Sequence, residues 1–336
     1  ERLHGVASWQ VRAVATQTLR EARNAGEFLA GAHPLLGFPI DVIAGREEAR
    51  LIYQGVAHLL PQSDERRLVV DIGGRSTELI IGQGFAATTL ESFRVGSVAW
   101  SQKYFPQGDF TAAAFDRAEI AAKAILDEAL DAYPRGAWDC AYGSSGTVGA
   151  VADVLAACGF EPEYVTADGL RWLRDRLLAA RHADRVRLDG LKEDRRPVIG
   201  GGLSVLLALF DLLDIDALHV AQGALRHGVL YDLLDRDKPA TDLRSATIER
   251  LAVRFGVDDA QARRVALAAC GLLQQLEGDA DPHSRPLRKL AWAARLHEIG
   301  SQIAHEYYHK HGAYILDHVY APGFAQSELH RLSLLV

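Results

Sequence analysis

The chain has 336 residues, 49% of them hydrophobic and 24% charged, an ordinary globular composition with material for two or three domains. Its net charge of −7 gives no global attraction for nucleic acid or another polyanion, so an anionic ligand would need locally concentrated basic residues. Cys140, Cys158 and Cys270 stand far apart without CxxC spacing, which argues against a disulfide framework and a structural zinc site.

In chain order, residues 10–16 read as a strand and residues 18–30 as a helix rich in Ala, Glu, Arg and Leu. Residues 38–43 form a second strand closing at Ala44 and Gly45, and 47–58 carry the apolar spacing of a helix. Residues 69–82 read as strand, tight turn, strand. A helix over 115–132, a short strand over 139–142 and a helix over 148–157 follow. Further helices are expected over 170–180 and 203–213, with a charged connection over 181–196 between them. A strand over 217–220 and a helix over 224–234 lead to a linker at 235–242, where Lys238 and Pro239 stand, and from Leu243 onward the chain reads as almost wholly helical. No stretch approaches the uncharged apolar length of a membrane span; the longest run, near Leu203–Phe210, suits a buried helix. Methionine is absent even at position 1, and we expect a fragment that lacks segments at both ends.

The stretch Val69-Val70-Asp71-Ile72-Gly73-Gly74-Arg75-Ser76-Thr77-Glu78 is the most informative. It delivers a carboxylate to a strand end, followed by two glycines and two hydroxyl residues. Glycine serves where φ must be positive or where backbone amides approach an anion closely. An acid beside such a turn can hold a hard cation that bridges phosphate oxygens. Gly143-Ser144-Ser145-Gly146-Thr147 is a second glycine–hydroxyl turn, at the start of a helix, where unpaired amides and the helix dipole favour phosphate. Gly200-Gly201-Gly202 would be a third contact or a site of close packing. Glu47 and Glu48, at a helix start, are either favourable charges there or a general base for water. Arg20 and Arg23 could meet phosphate oxygens or line a solvated face. His297, Glu298, His305, His309 and His311 form the densest histidine cluster, with His305 and His309 on one helical face; polar lining or an interface is favoured there over a metal.

Taken together, Gly45-Arg46-Glu47-Glu48-Ala49-Arg50, Asp71-Ile72-Gly73-Gly74-Arg75-Ser76-Thr77-Glu78, Gly143 to Thr147 and His309-Lys310-His311-Gly312-Ala313-Tyr314 resemble the exopolyphosphatase / guanosine pentaphosphate phosphohydrolase family, in that order and across nearly the whole chain. The resemblance implies an α/β fold of duplicated actin-like (ribonuclease H-like) domains. Residues 1–46 would be the remnant of a truncated first domain, 47–238 the second, and 239–336 an all-helical, C-terminally incomplete HD-like domain. It implies hydrolysis of terminal phosphoanhydrides of inorganic polyphosphate or guanosine pentaphosphate, with Mg2+, in a cytoplasmic homodimer. By position, Glu48 would be the catalytic base and Asp71 and Glu78 the metal-holding residues. Arg20, Gly73, Gly74, Arg75, Ser76 and the turn Gly143, Ser144, Ser145, Gly146 and Thr147 would bind phosphates. Arg75 departs from the family's third glycine, the family's first phosphate hairpin is absent, and His297-Glu298 stand where a working HD hydrolase needs His-Asp. The alternatives are a small-molecule kinase on the same fold and a guanosine-polyphosphate sensor with little catalysis.

Overall fold

The computed structural model describes residues 5–7, 10–236, 242–277 and 284–336. Two compact units emerge: residues 1–47 with 232–336, and residues 48–231. In chain order the first unit contributes β1 (Ala13–Ala15), α1 (Gln17–Glu21), α2 (Ala25–Leu36) and β2 (Ile40–Val42). The two short strands pair in parallel, Ala13 with Ile40 through Ala15 with Val42. The single helix expected over 18–30 is instead two, because Ala22 leaves the helical region at ψ 124°; α2 then runs on to Gly37, whose left-handed φ of 77° ends it.

Next come α3 (Gly45–Leu59), β3 (Arg66–Ile72), β4 (Thr77–Gln83), β5 (Ala86–Phe93), α4 (Ser97–Tyr104), α5 (Ala112–Leu126), β6 (Cys140–Ser144), α6 (Gly146–Ala157), β7 (Tyr164–Thr166), α7 (Ala167–Ala180), α8 (Ile199–Leu213), β8 (Ala217–Val220) and α9 (Leu225–Arg236). The second unit is a six-stranded mixed sheet in the order β5-β4-β3-β6-β8-β7. β3 is antiparallel to β4 and parallel to β6. Both faces of β3 are buried: Leu68, Val70 and Ile72 join one core with α5, α6 and α8, while Val69 packs with Ile52, Tyr53 and Val56 of α3. That is why β3 reads as a continuous apolar run rather than an alternating one. β5, β7 and α4 carry no strong apolar signal of their own and were not expected from the sequence; β5 is for the most part only half-buried.

The span Glu193–Leu213 is long and apolar enough to cross a membrane, which corrects the expectation that no stretch reaches that length. Its α8 portion is buried along most of its length among core residues of the second unit, as a central core helix is. Gly200, Gly201 and Gly202 lie inside α8 rather than before it. A Cβ on Gly201 would stand 2.5 Å from the Ser101 amide and one on Gly202 2.6 Å from Thr147 Cγ2, so these glycines serve close packing and not ligand contact.

The first unit resumes with α10 (Leu243–Arg254), α11 (Asp259–Glu277), α12 (Arg285–Leu296), α13 (Tyr308–His318) and α14 (Gln326–Ser333). Asp242 caps α10 by accepting from the Arg244 amide at 3.0 Å. Ile248, Leu251, Trp292, Leu296, Ile315, Phe324 and Leu332 form its separate core. Lys238 and Pro239 of the expected linker lie outside the described residues.

Candidate active site

The strand register of the second unit lines up one polar residue from each of four strands. Asp71 of β3 stands opposite Glu78 of β4 and Ser144 of β6, and Glu78 stands opposite Ser92 of β5. Residues directly opposed in a sheet project to the same face, so Ser92, Glu78, Asp71 and Ser144 make one polar row at the strand ends. Asp71 is 8% exposed, Glu78 1% and Glu48 6%.

Little water reaches these carboxylates, and their charges add. Burial pushes Asp71 up to about 6, the charge of Glu48 adds to this, and a hydrogen bond from Ser144 opposes it. Glu78 is held well above the ordinary range by burial first, then by the charges of Glu48 and Asp71; the hydroxyls of Ser92 and Ser76 pull the other way. Ser92 Oγ donates to Glu78 Oε1 at 2.7 Å. The charge of Glu48, at the start of α3, thus bears on both strand carboxylates. An oxygen-only set of crowded carboxylates suits a small hard cation. Among the described residues no three His, Cys, Asp or Glu side chains close into a metal-ligand group. The donor set therefore fits an ion that takes one or two carboxylates and keeps the rest of its shell for water and phosphate oxygens.

Glu48 is fixed through its helix. A Cβ on Gly228 of α9 would lie 1.7 Å from the Leu51 carbonyl oxygen of α3, and one on Gly55 would lie 2.3 Å from the Ala224 oxygen. The residues on either side thus meet backbone to backbone, and any side chain there would push α3 away. Tyr53 Oη, donating to Gly84 O at 3.1 Å, ties the same helix to the β4–β5 turn.

The first turn, Gly73 to Ser76, is clamped rather than loose. The Gly73 amide donates to Ser76 O at 2.9 Å, and the first amides of α4 are spent on the turn's carbonyls: Ser97 N on Gly73 O and Val98 N on Gly74 O, both at 2.9 Å. Neither Gly73 nor Gly74 has a positive φ, which corrects that part of the reason for glycine here. Close approach remains: a Cβ on Gly74 would meet Val98 Cγ2 at 3.3 Å. Gly96 is the glycine that sequence reasoning overlooked, since its Cβ would stand 2.5 Å from the Arg75 amide. Gly74 and Arg75 face solvent.

The second turn is strained. Ser145 has φ 99° and ψ 161°, a region essentially reserved for glycine that costs a serine about 1–3 kcal/mol. Its buried Oγ has no hydrogen-bond partner among the described residues. Gly143 lies within β6, and a Cβ there would meet Val148 Cγ1 at 2.5 Å, so packing accounts for that glycine. Thr147 Oγ1 donates to Ile72 O at 2.9 Å and joins the second turn to the first. Over Gly146, the first residue of α6, lies Arg195: a Cβ at Gly146 would come 2.6 Å from its Nη2. A guanidinium at the positive end of a helix is unfavourable by itself and favourable with an anion between them. Only a run of basic residues over 181–196 hinted at Arg195, and Ser92 had no sequence signal at all.

Arg20 belongs to the first unit, where its Nη1 donates to Ile43 O at 2.7 Å and its Nη2 to Gln17 Oε1 at 2.6 Å. The histidines of the first unit do not form the helical face expected of them. His305 precedes α13, separated from it by Tyr307 in the left-handed region at φ 57°, and no metal cluster involves them among the described residues. His297 Nδ1 is engaged with Ala294 O at 2.8 Å.

Residues 1–237 match the Ppx/GppA phosphatase family and residues 243–336 its domain III. A guanosine-5'-triphosphate,3'-diphosphate pyrophosphatase of Vibrio cholerae is 42% identical over 339 aligned positions, covering 100% of this chain and 67% of that protein. One of the same name from Vibrio atlanticus is 40% identical over 338, again covering 100% and 67%. Among solved structures, an exopolyphosphatase-like protein superposes with a TM-score of 0.59 at 26% identity, over 66% of this chain and 74% of the other. The Aquifex aeolicus Ppx/GppA family member gives 0.55 at 27%, over 68% and 75%. With both parts of the chain matched and relatives of this identity, the chain is a member of the Ppx/GppA phosphatase family.

Proposed function

We propose that this protein hydrolyses the terminal phosphoanhydride of guanosine 5'-triphosphate 3'-diphosphate, releasing orthophosphate and guanosine tetraphosphate, and that inorganic polyphosphate is a second substrate of the same site. The observation that carries this reading is the buried row of Asp71 and Glu78, on which the charge of Glu48 bears, flanked by two tight turns. The names of the Vibrio relatives favour the guanosine substrate. Enzymes of the family generally use a divalent metal. Mg2+ is the ion that Asp71 and Glu78 would hold, and it would neutralise phosphate oxygens as charge develops on them.

The chain's own groups do the rest. Glu48 accepts a proton from the attacking water as the water oxygen bonds to the terminal phosphorus. The bridging P–O bond breaks, and its electron pair leaves with the remaining nucleotide. Gly73, Gly74, Arg75 and Ser76 hold the phosphates from one side, and Gly143, Ser144, Ser145, Gly146 and Thr147 from the other. Ser145 Oγ is a donor awaiting an acceptor, Arg195 pairs with the anion at the start of α6, and Arg20 contacts the scissile end. On this reading residues 1–46 belong to a first actin-like domain, 47–238 to the second and 239–336 to an HD-like domain, in a cytoplasmic homodimer. Orthophosphate release should be measured from guanosine pentaphosphate, from long-chain polyphosphate and from ATP without acceptor. Release from the first at a kcat/KM above the other two is expected; ATP as the preferred source would overturn the reading.

A further inference from the structure

The first unit contains a cavity of about 200 Å3 lined from β1, β2, α9, α10, α12 and α14. That is several times the roughly 30 Å3 share of one water molecule. Arg12, Arg236 and Arg244 form its inner wall; Arg285, Arg288 and Lys289 of α12 and Arg331 of α14 complete the ring, against only Asp41 and Glu328. Asp232 behind the wall pairs with Arg12 and Arg236, and Asp242 pairs with Arg244 and Arg288. Even with these two counted, the cations outnumber the carboxylates.

Arg12 shows that the wall is built and not incidental. Its side chain is 5% exposed, and Nη1 donates to Asp232, yet Nε and Nη2 are buried with no hydrogen-bond partner among the described residues. Asp41 Oδ2 lies 3.5 Å from Nε, too long for a strong hydrogen bond. A buried donor left unsatisfied costs about 1–3 kcal/mol, and an acceptor in the cavity would remove that cost. Lys289 is held below its ordinary value by burial first, with Glu328 opposing and Arg331, Arg244 and Arg285 adding to the fall. Trp292 forms an aromatic wall on which the guanidinium carbons of Arg244 and Arg288 rest at 5.1 and 5.7 Å from the ring centre. Guanidinium forks match the oxygens of a phosphate group.

We infer that this cavity is a second oxyanion site, sharing no residue with the carboxylate row, that takes a compact multivalent inorganic phosphate with pyrophosphate as its size class. The site needs no divalent cation, which separates it from the carboxylate row. Titration calorimetry of the 336-residue chain with pyrophosphate in the presence of a chelator tests it. Saturable binding is expected, weaker for sulfate at matched ionic strength. The double substitution Lys289→Gln with Arg331→Gln should weaken it by about tenfold or more, Lys289→Arg should retain it, and phosphate release should stay unchanged. If the double variant loses its cooperative melting transition, Arg285→Gln, on the exposed start of α12, is read instead with the same expectation. Unaltered affinity in the folded variant, or sulfate binding as tightly as pyrophosphate, overturns the inference.

Discussion

Burial raises Asp71 to about 6 and Glu78 in the same direction, whereas an unfolded Asp titrates near about 4. A carboxyl with a raised folded value binds its proton more tightly in the folded chain. Its contribution to stability is therefore present at low pH and is lost as pH rises through about 4 to beyond 6. In chelator, urea-denaturation midpoints should fall across that window, and Asp71→Asn should flatten the fall. Added Mg2+ should raise the midpoint at pH 8 and leave it unchanged at pH 4. A profile that rises through the window would show that these acids are not opposed by their surroundings.

Ser145 is the other residue whose environment makes a demand. At φ 99° and ψ 161° with an unpaired buried hydroxyl, it stores strain that glycine would release. Ser145→Gly should stabilise the chain by about 1 kcal/mol in denaturant titration, the strain relieved exceeding the added chain entropy. It should also raise the KM for guanosine pentaphosphate, because a donor is lost. Lower stability with unchanged KM would make the serine a packing residue. The Gly-Ser-Ser-Gly pattern pointed to a turn, but no pattern in residue types reveals which serine carries the positive φ.

At the scale of elements, the hairpin of β3 and β4 was legible because both strands are buried and apolar, and because the turn residues interrupt them sharply. α3 was legible from its apolar spacing. What holds α3 was not: Gly55, Gly228 and Gly223, whose Cβ would lie 2.2 Å from Gly55 O, look like ordinary loop or helix glycines in the sequence, and their role is contact between segments far apart in the chain. Gly228→Ala puts a Cβ 1.7 Å from Leu51 O, and backbone on both sides leaves nothing flexible to yield. We expect a loss of about 4 kcal/mol or more, with a kcat that falls as α3 shifts Glu48. A loss below 1 kcal/mol with full kcat would mean that α3 has room to move. β5 was missed for the complementary reason. It is half-buried with no apolar run, and its contribution to the site, Ser92, is a single hydroxyl whose importance comes only from the register opposite Glu78.

At the scale of the molecule, the mixed α/β sheet and the helical segment after Leu243 followed from periodicity and turn chemistry, and the two compact units divide the chain's polar chemistry between them. The second unit gathers acids beside two turns. The first gathers arginines around a cavity, an arrangement invisible in the sequence because Arg12 and Arg331 are neighbours only after folding. The most direct test of the account concerns Glu48, whose charge weighs on both Asp71 and Glu78. Orthophosphate release from guanosine pentaphosphate by Glu48→Gln should fall by about three orders of magnitude or more, a loss of about 4 kcal/mol in the barrier, while nucleotide affinity stays within a few-fold. Release at the wild-type rate would contradict the assignment of Glu48 and, with it, the site.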